Sequence, residues 1–376
     1  MNEKLQIIFG LLGGLAVFIY GMNMMSECLQ KAAGEKMKSI LALLTKNPVL
    51  GVIAGALTTA VLQSSSATTV MAIGFVSAGL MSLPQAISII FGANIGTTMT
   101  AQIIAFKISD YIYIIIFIGF IISFIAKSEK VKSIGQTIFA FGLLFLGIET
   151  MGDVMKPLAS SPVFTDLIGK VAHIPVLGVG VGTLMTLVVQ SSSATIAVLQ
   201  NFAAQPGADG MTSILGLAGA IPILLGDNIG TTITANLAAL TANTQAKRAA
   251  LAHFVFNVFG VIWVLIIFHP FMQFVNWVVD TFFQTSNPEV AISYKLSAFH
   301  SIFNICNVCI LIWAVKLIER TVCALIHPKE EDEEPRLRFI TGGMLSTAEL
   351  SILQARKEIH LFAERTHRMF GMVQDL

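Results

Sequence analysis

The stretch Gln63-Ser64-Ser65-Ser66-Ala67-Thr68-Thr69 lies inside an apolar run covering residues 48–82. It returns as Gln190-Ser191-Ser192-Ser193-Ala194-Thr195-Ile196 inside a second apolar run, 175–203. Polar groups left unpaired in hydrocarbon are costly, so a glutamine and three serines in such a setting must face protein or a solvated cavity. Each half of either run is too short to cross a bilayer alone. Both runs are therefore expected to be re-entrant helical hairpins that enter and leave on one side, with the polar residues at the tip.

The surrounding chain is membrane-like. It is 55% hydrophobic and 12% charged, with a mean hydropathy of +0.78. A soluble domain carries about twice that charged fraction. Full spans are expected near 5–26, 84–106, 110–126, 134–151, 212–241, 249–269 and 295–318, with a loop over 270–293. The first lacks the charged start and small-residue cleavage site of a signal peptide. With seven crossings, Lys31 to Lys46, Lys127 to Lys132, Lys247-Arg248 and the tail after Lys316 all fall on one side. By the positive-inside rule the N-terminus is then outside and the C-terminus cytoplasmic, in the plasma membrane. The formal net charge of +1 says nothing about nucleic acid, and no basic cluster suggests it, so no nucleic-acid partner is expected. Cys306-Asn307-Val308-Cys309 has no second pair to complete a zinc site and reads as thiols in a span. Cys28 and Cys323 read likewise as isolated thiols.

The repeat extends beyond the serines. Pro48-Val49-Leu50-Gly51 matches Pro175-Val176-Leu177-Gly178 at the offset that separates Gln63 from Gln190, 127 residues. Gly51 and Gly55 pair with Gly178 and Gly182, a small-residue face suited to close helix packing. Downstream, Gly92-Ala93-Asn94-Ile95-Gly96-Thr97-Thr98 matches Gly226-Asp227-Asn228-Ile229-Gly230-Thr231-Thr232. Upstream, Gly21 and Met24 line up loosely with Gly147 and Met151. Each unit holds a span, a hairpin, a span expected to break at its Gly-Asn motif, and a further span. Three crossings per unit place the second unit upside down relative to the first. Such inverted repeats, with broken helices meeting at the midplane, are an architecture of secondary transporters. A smaller echo, His253-x-x-x-Asn257 and His300-x-x-x-Asn304, puts His and Asn on one helix face and reads as interhelical glue.

A helix break in the membrane frees N-terminal amides, which attract anions. The freed carbonyls, hydroxyls and amide oxygens are ligands for a small hard cation. Two facing breaks suit an anion with co-bound Na⁺. The expected site has no Lys or Arg, and an unneutralised anion at the midplane is costly. That argues for symport. Asp227, standing where the first unit has Ala93, is a cation ligand or a proton-titrating group. Glu149 and Asp153 read as interfacial. No nucleotide loop, metal cluster or nucleophile–base set is present, so neither an enzyme nor an ATP-driven pump is expected.

The paired Gln-Ser-Ser-Ser-Ala-Thr and Gly-[Ala/Asp]-Asn-Ile-Gly-Thr-Thr motifs, followed by His-x-x-Phe-Asn, resemble the type II sodium/phosphate cotransporter family in a bacterial form, over about residues 8–320. The resemblance implies Na⁺-coupled transport of inorganic phosphate by alternating access, with no cofactor besides the coupling ions. It places Ser64, Ser65, Ser66, Thr68, Ser191, Ser192, Ser193 and Thr195 around phosphate. It places Gln63, Thr69, Asn94, Thr97, Thr98, Gln190, Asn228, Thr231 and Thr232 around Na⁺, and Asp227, a departure from the family motif, joins the expected Na⁺ ligands by its own chemistry. Ile196 in place of Thr69, and Asp227 in place of Ala93, make the two half-sites unequal. A Na⁺-independent phosphate channel or exporter, and a phosphate sensor, are the alternatives, and a homodimer is entertained as the assembly.

The chain thus divides into an all-α polytopic membrane part and a tail. Repeat 1 covers 1–133, repeat 2 covers 134–270, an extra transmembrane segment covers 271–320, and a cytoplasmic tail covers 321–376. In the tail, Ser346-x-x-Glu349 is a capping-box signal for a helix to about Phe370. Bacterial members of the family often carry a PhoU-type helical domain here, so this helix is expected to be its start or a lone amphipathic helix on the membrane surface.

Overall fold

The computed structural model describes residues 3–33, 47–77, 79–106, 108–155, 174–205, 213, 215–240, 242–283 and 288–327, and short helical pieces between Arg356 and His367. The chain separates into two compact units, Met1–His327 and Pro328–Leu376. The capping-box residues Ser346 and Glu349 lie outside the described residues.

The described part of the first unit is helical, with no strand among the described residues. Its α-helices are α1 Glu3–Ala33, α2 Pro48–Leu62, α3 Ser65–Ser77, α4 Leu83–Ala105, α5 Ile112–Ile125, α6 Glu129–Met155, α7 Pro175–Val189 and α8 Ser192–Ala204, followed by α9 Gly216–Ala239, α10 Thr244–Ile266, α11 Phe268–Phe282, α12 Pro288–Leu311 and α13 Val315–Leu325. Five stretches are long and apolar enough to cross a membrane: Leu5–Lys31, Leu83–Ala105, Glu129–Val154, Thr244–Ile266 and Val290–Leu325. This is a multi-pass membrane protein. The segment expected to span at 110–126 forms only the 14-residue α5 after a 3₁₀ turn.

Glycines set which helices touch and in which direction. A Cβ on Gly21 of α1 would sit 2.8 Å from the Leu144 nitrogen of α6, and one on Gly147 would sit 2.6 Å from the Phe18 nitrogen. Gly10 approaches Val154 and Gly14 approaches Met151, so α1 and α6 run antiparallel. The same reasoning pairs α2 with α4, but in parallel: Gly51 meets Ser88, Gly55 meets Ile89, and Gly96 meets Thr59. Helices α7 and α9 repeat it, with Gly178 on Pro222, Gly182 on Ile223 and Gly230 on Thr186. Parallel packing is what a re-entrant hairpin requires. The chain descends in α2, returns in α3 and descends again in α4; a single continuous span through α2–α3 would leave α4 antiparallel to α2.

The expected breaks at the Gly-Asn motifs are not found. Both α4 and α9 run unbroken through Gly92–Thr98 and Gly226–Thr232, and α9 does so despite an internal Pro222. The polar side chains bond along their own helix instead. Asn94 donates to Ile90 O at 2.8 Å and Asn228 to Leu224 O at 3.0 Å. Thr97 and Thr231 donate to the carbonyls of Ala93 and Asp227, four residues back. The motif glycines serve packing: a Cβ on Gly92 would overlap Val52 O, and one on Gly226 would overlap Val179 O.

The loop expected over 270–293 contains α11, whose Phe271, Val275 and Val279 recur every fourth residue and are buried. Its Asp280 pairs with Lys295 of α12 at 3.0 Å. A 3₁₀ turn at Ile312–Ala314 separates α12 from α13. Arg248, at the start of α10, donates from Nε and Nη2 to Ile326 O at 3.0 and 2.9 Å, tying down the carboxyl end of α13.

Candidate functional site

Each hairpin turns at its glutamine. Gln63 has φ 52° and ψ 26°, and Gln190 has φ 57° and ψ 22°. They are the only non-glycine residues with positive φ among the described residues. That conformation costs a non-glycine residue on the order of 1 kcal/mol or more, so something must hold it. The backbone N–H of Gln63 donates to Thr59 O at 2.7 Å and its Nε2 to Ala60 O at 2.5 Å, while its Oε1 accepts from Thr100 Oγ1 of α4 at 3.1 Å. Gln190 repeats the set on Thr186 O, Leu187 O and Thr234 Oγ1. One side chain thus satisfies a carbonyl at the end of the incoming helix and anchors the turn to the next span. The role is specific to glutamine: the motif needs one amide donor and one amide acceptor on a flexible stem.

The next residue starts the returning helix. Ser191 is the N-cap of α8, its Oγ accepting from Ala194 N at 3.3 Å; Ser64 Oγ accepts from Ala67 N at 3.2 Å in the first hairpin. The two arms of each hairpin are stapled by threonines. Thr59 Oγ1 lies 2.8 Å from Thr68 Oγ1, and Thr186 Oγ1 lies 3.1 Å from Thr195 Oγ1.

The two tips come together. Gln63, Ser64, Ser65 and Ser66 share one cavity with Gln190, Ser191, Ser192 and Ser193, with a volume of about 260 Å³. Leu62 and Val189 close it at the helix ends, and α1 adds Ile19, Met22, Asn23 and Ser26. The six tip serines, Ser26 and the first turns of α3 and α8 line one space whose lining holds no Lys, Arg, Asp or Glu. An oxyanion would find serine hydroxyls and the amino ends of two helices there.

The other expected residues lie away from this cavity. Thr68 and Thr195 belong to the staples. Thr69 is buried in α3 with an unpartnered hydroxyl, matched by the buried Ile196. Asn94, Thr97 and Thr98 lie on α4, and Asn228, Thr231 and Thr232 on α9. Asp227 is 1% exposed; Thr186 Oγ1 donates to its Oδ1 at 2.6 Å, and its Oδ2 has no partner. Asn228 Oδ1 stands 3.4 Å from His300 Nε2, which brings one member of the His-Asn echo to the second motif. The contribution of α1 was not foreseen. Asn23 and Ser26 are single polar residues on a helical face, and only the fold brings them to the tips.

No solved structure matches the chain. It is 32% identical over 312 residues to the uncharacterized protein YqeW of Bacillus subtilis, covering 83% of this chain and 96% of that one. It is 24% identical over 364 residues to YjbB of Salmonella typhimurium, provisionally named an inorganic phosphate export protein, covering 96% of this chain and 63% of YjbB. It is 38% identical over 107 residues to the sodium-dependent phosphate transport protein 2A of Rattus norvegicus, covering 28% of this chain and 17% of that protein. The Na⁺/Pi-cotransporter family matches residues 17–153 and again 150–278, one match over each hairpin-bearing half. With both halves matched, the chain belongs to the Na⁺/Pi-cotransporter family.

Proposed function

We propose that this protein carries inorganic phosphate across the plasma membrane by Na⁺-coupled symport with alternating access. The observation that carries the reading is the meeting of both Gln-Ser-Ser-Ser tips in one cavity without a fixed charge. Phosphate sits between the tips, held by Ser64, Ser65, Ser66, Ser191, Ser192 and Ser193, with Thr68 and Thr195 bracing the hairpins behind them. With no cation of the protein at hand, Na⁺ offsets the anion's charge. Its ligands are drawn from Gln63, Thr69, Asn94, Thr97 and Thr98 in one half, and from Gln190, Asp227, Asn228, Thr231 and Thr232 in the other.

The two halves are read as inverted in the membrane. The antiparallel packing of α1 on α6, the loosely matched first helices of the two units, supports this. One hairpin then enters from the cytoplasm and the other from outside, with the N-terminus outside and the C-terminus inside. Such a site opens to either side as the hairpins shift against the remaining spans. The test is uptake of labelled phosphate into proteoliposomes with an inward Na⁺ gradient or with K⁺ in its place. Uptake that concentrates phosphate only with the Na⁺ gradient is the expected result; equal uptake in both defeats the coupling.

A second reading is phosphate export, which the name of the YjbB relatives favours, taken here in its Na⁺-independent form. Phosphate-loaded vesicles distinguish it, since export of this kind empties them equally with or without Na⁺.

A further inference from the structure

The carboxyl of Asp227 is joined to the second tip by a chain of hydroxyls. Asp227 Oδ1 accepts from Thr186 Oγ1 at 2.6 Å. Thr186 Oγ1 is 3.1 Å from Thr195 Oγ1, which is 3.2 Å from the carbonyl oxygen of Ser191. Ser191 caps α8 and lines the cavity. Each threonine has one hydroxyl hydrogen, so the chain runs in only one direction at a time. Toward a bare carboxylate, Thr186 gives its hydrogen to Asp227 and has none for Thr195. A proton on Oδ1, or a Na⁺ held between the carboxyl and Thr186 Oγ1, reverses this: Thr186 then turns a lone pair toward the cation and its hydrogen toward Thr195. Thr195 then donates to Ser191 O. A buried carboxylate with one neutral donor and a second oxygen unpartnered is costly until a cation joins it. The first half has no such device, because Ala93 occupies the matching place and the Thr59–Thr68 pair ends without an acid.

We propose that Asp227, Thr186 and Thr195 form a directional hydroxyl relay by which a monovalent cation at Asp227 readies the Ser191–Ser193 tip for phosphate. The proposal rests on the phosphate-symport reading and adds how ion and anion communicate within it. Thr186 is a positioning residue: it acts through Thr195 and the cap of α8. Asp227 is the one ionisable side chain of α9. Among the described helices packed on α9, neither the hairpin helices α3, α7 and α8 nor the cavity carries an ionisable group. On α10 they are Lys247, Arg248 and His253; Arg248 is engaged with Ile326 O, and the ring nitrogens of His253 have no partner. On α12, Lys295 pairs with Asp280, His300 faces Asn228, and Tyr294, Cys306 and Cys309 complete the described set.

The experiment measures labelled-phosphate affinity of the full chain, purified in nanodiscs, with Na⁺ or choline, at one acidic and one alkaline pH. Wild type is compared with Thr186→Val, Thr186→Ser and Asp227→Asn. Titration of phosphate itself is common to all four proteins and cancels in the comparison. The cation is expected to raise wild-type affinity at least about fivefold, the lower end of typical coupling between sites. A response in the Na⁺ arm identifies Na⁺, and one confined to the acid arm identifies the proton. Thr186→Val is expected to bind phosphate with the cation response lost, and Thr186→Ser to restore it. A wild-type-sized response in Thr186→Val overturns the relay. Where Thr186→Val does not fold, a wild-type-sized response in Asp227→Asn overturns it instead. Wild-type protein that binds phosphate with no cation response overturns the relay alone. Wild-type protein that binds no phosphate in any condition overturns the phosphate reading, and the relay with it.

Discussion

The two hairpins share a backbone and differ in the side chains placed around it. In both, a glutamine with positive φ bonds back to the incoming helix and across to the following span. In both, two threonines staple the arms and glycines seat the hairpin on a parallel helix. Where the first half has Ala93 and Thr69, the second has Asp227 and Ile196. Among the described residues the first half adds a contact the second lacks: Ser26 of α1 donates to Leu62 O at 2.5 Å, and α1 walls the cavity. On α6, Gly152 instead lies against Asn201 of α8, and its carbonyl accepts from Nε2 of Gln205, the C-cap of α8, at 3.3 Å. The contrast suggests a division of labour. Shared features build the turn and the anion cradle, and unshared ones distinguish the ion chemistry and the access of the two halves.

The largest expected effect comes from removing what the halves share. Ser65→Ala with Ser192→Ala takes one hydroxyl from each tip. Hydrogen bonds to a charged group contribute about 1.5–3 kcal/mol each, so phosphate binding should weaken at least about 100-fold. Size-exclusion profiles should stay those of wild type. Binding that survives the double change would remove the tips from the site.

Next are the packing glycines. Gly92→Ala and Gly226→Ala each drive a methyl into the facing helix and should each cost about 1–3 kcal/mol. Thermal unfolding should fall by similar amounts in the two proteins. A loss confined to one would break the equivalence of the halves.

A smaller effect separates the glutamines. Gln63→Ala removes two hydrogen bonds at a half-buried turn and should cost about 1–2 kcal/mol. Gln190→Ala should cost less, because Gln190 is exposed and water replaces its partners. Equal losses in a denaturant series would contradict that ordering. Smallest of all, Thr69→Val removes a buried hydroxyl that has no partner, so stability should move by less than about 1 kcal/mol. If Thr69 holds Na⁺, the same protein should need more Na⁺ for half-maximal uptake; an unchanged Na⁺ requirement would drop it from the ion site.

Much of this organisation was legible in the sequence because the repeat made it so. The paired polar tips, their hairpin form and the Gly51/Gly55 face all follow from residues that recur at fixed spacing in an apolar background. The Gly-Asn motifs misled for a physical reason. Glycine and asparagine weaken a helix in water, but in an apolar setting the helix keeps its backbone bonds, and Asn94 and Asn228 satisfy themselves on Ile90 O and Leu224 O. Helix α11 was missed because His269, Gln273, Asn276 and Asp280 interrupt its apolar residues. That is the signature of an amphipathic helix as much as of a loop. The part played by Asn23 and Ser26 carries no local signal, since it depends on α1 being brought to the tips by packing on α6.

The central claim is that two matching tips make a single anion site. Equilibrium dialysis of the purified chain against labelled phosphate, at saturating Na⁺, counts the sites directly. One phosphate per chain is predicted, with Ser65→Ala and Ser192→Ala each weakening that same site. Two phosphates per chain, each lost with its own serine, would mean that the hairpins bind separately and would contradict the account.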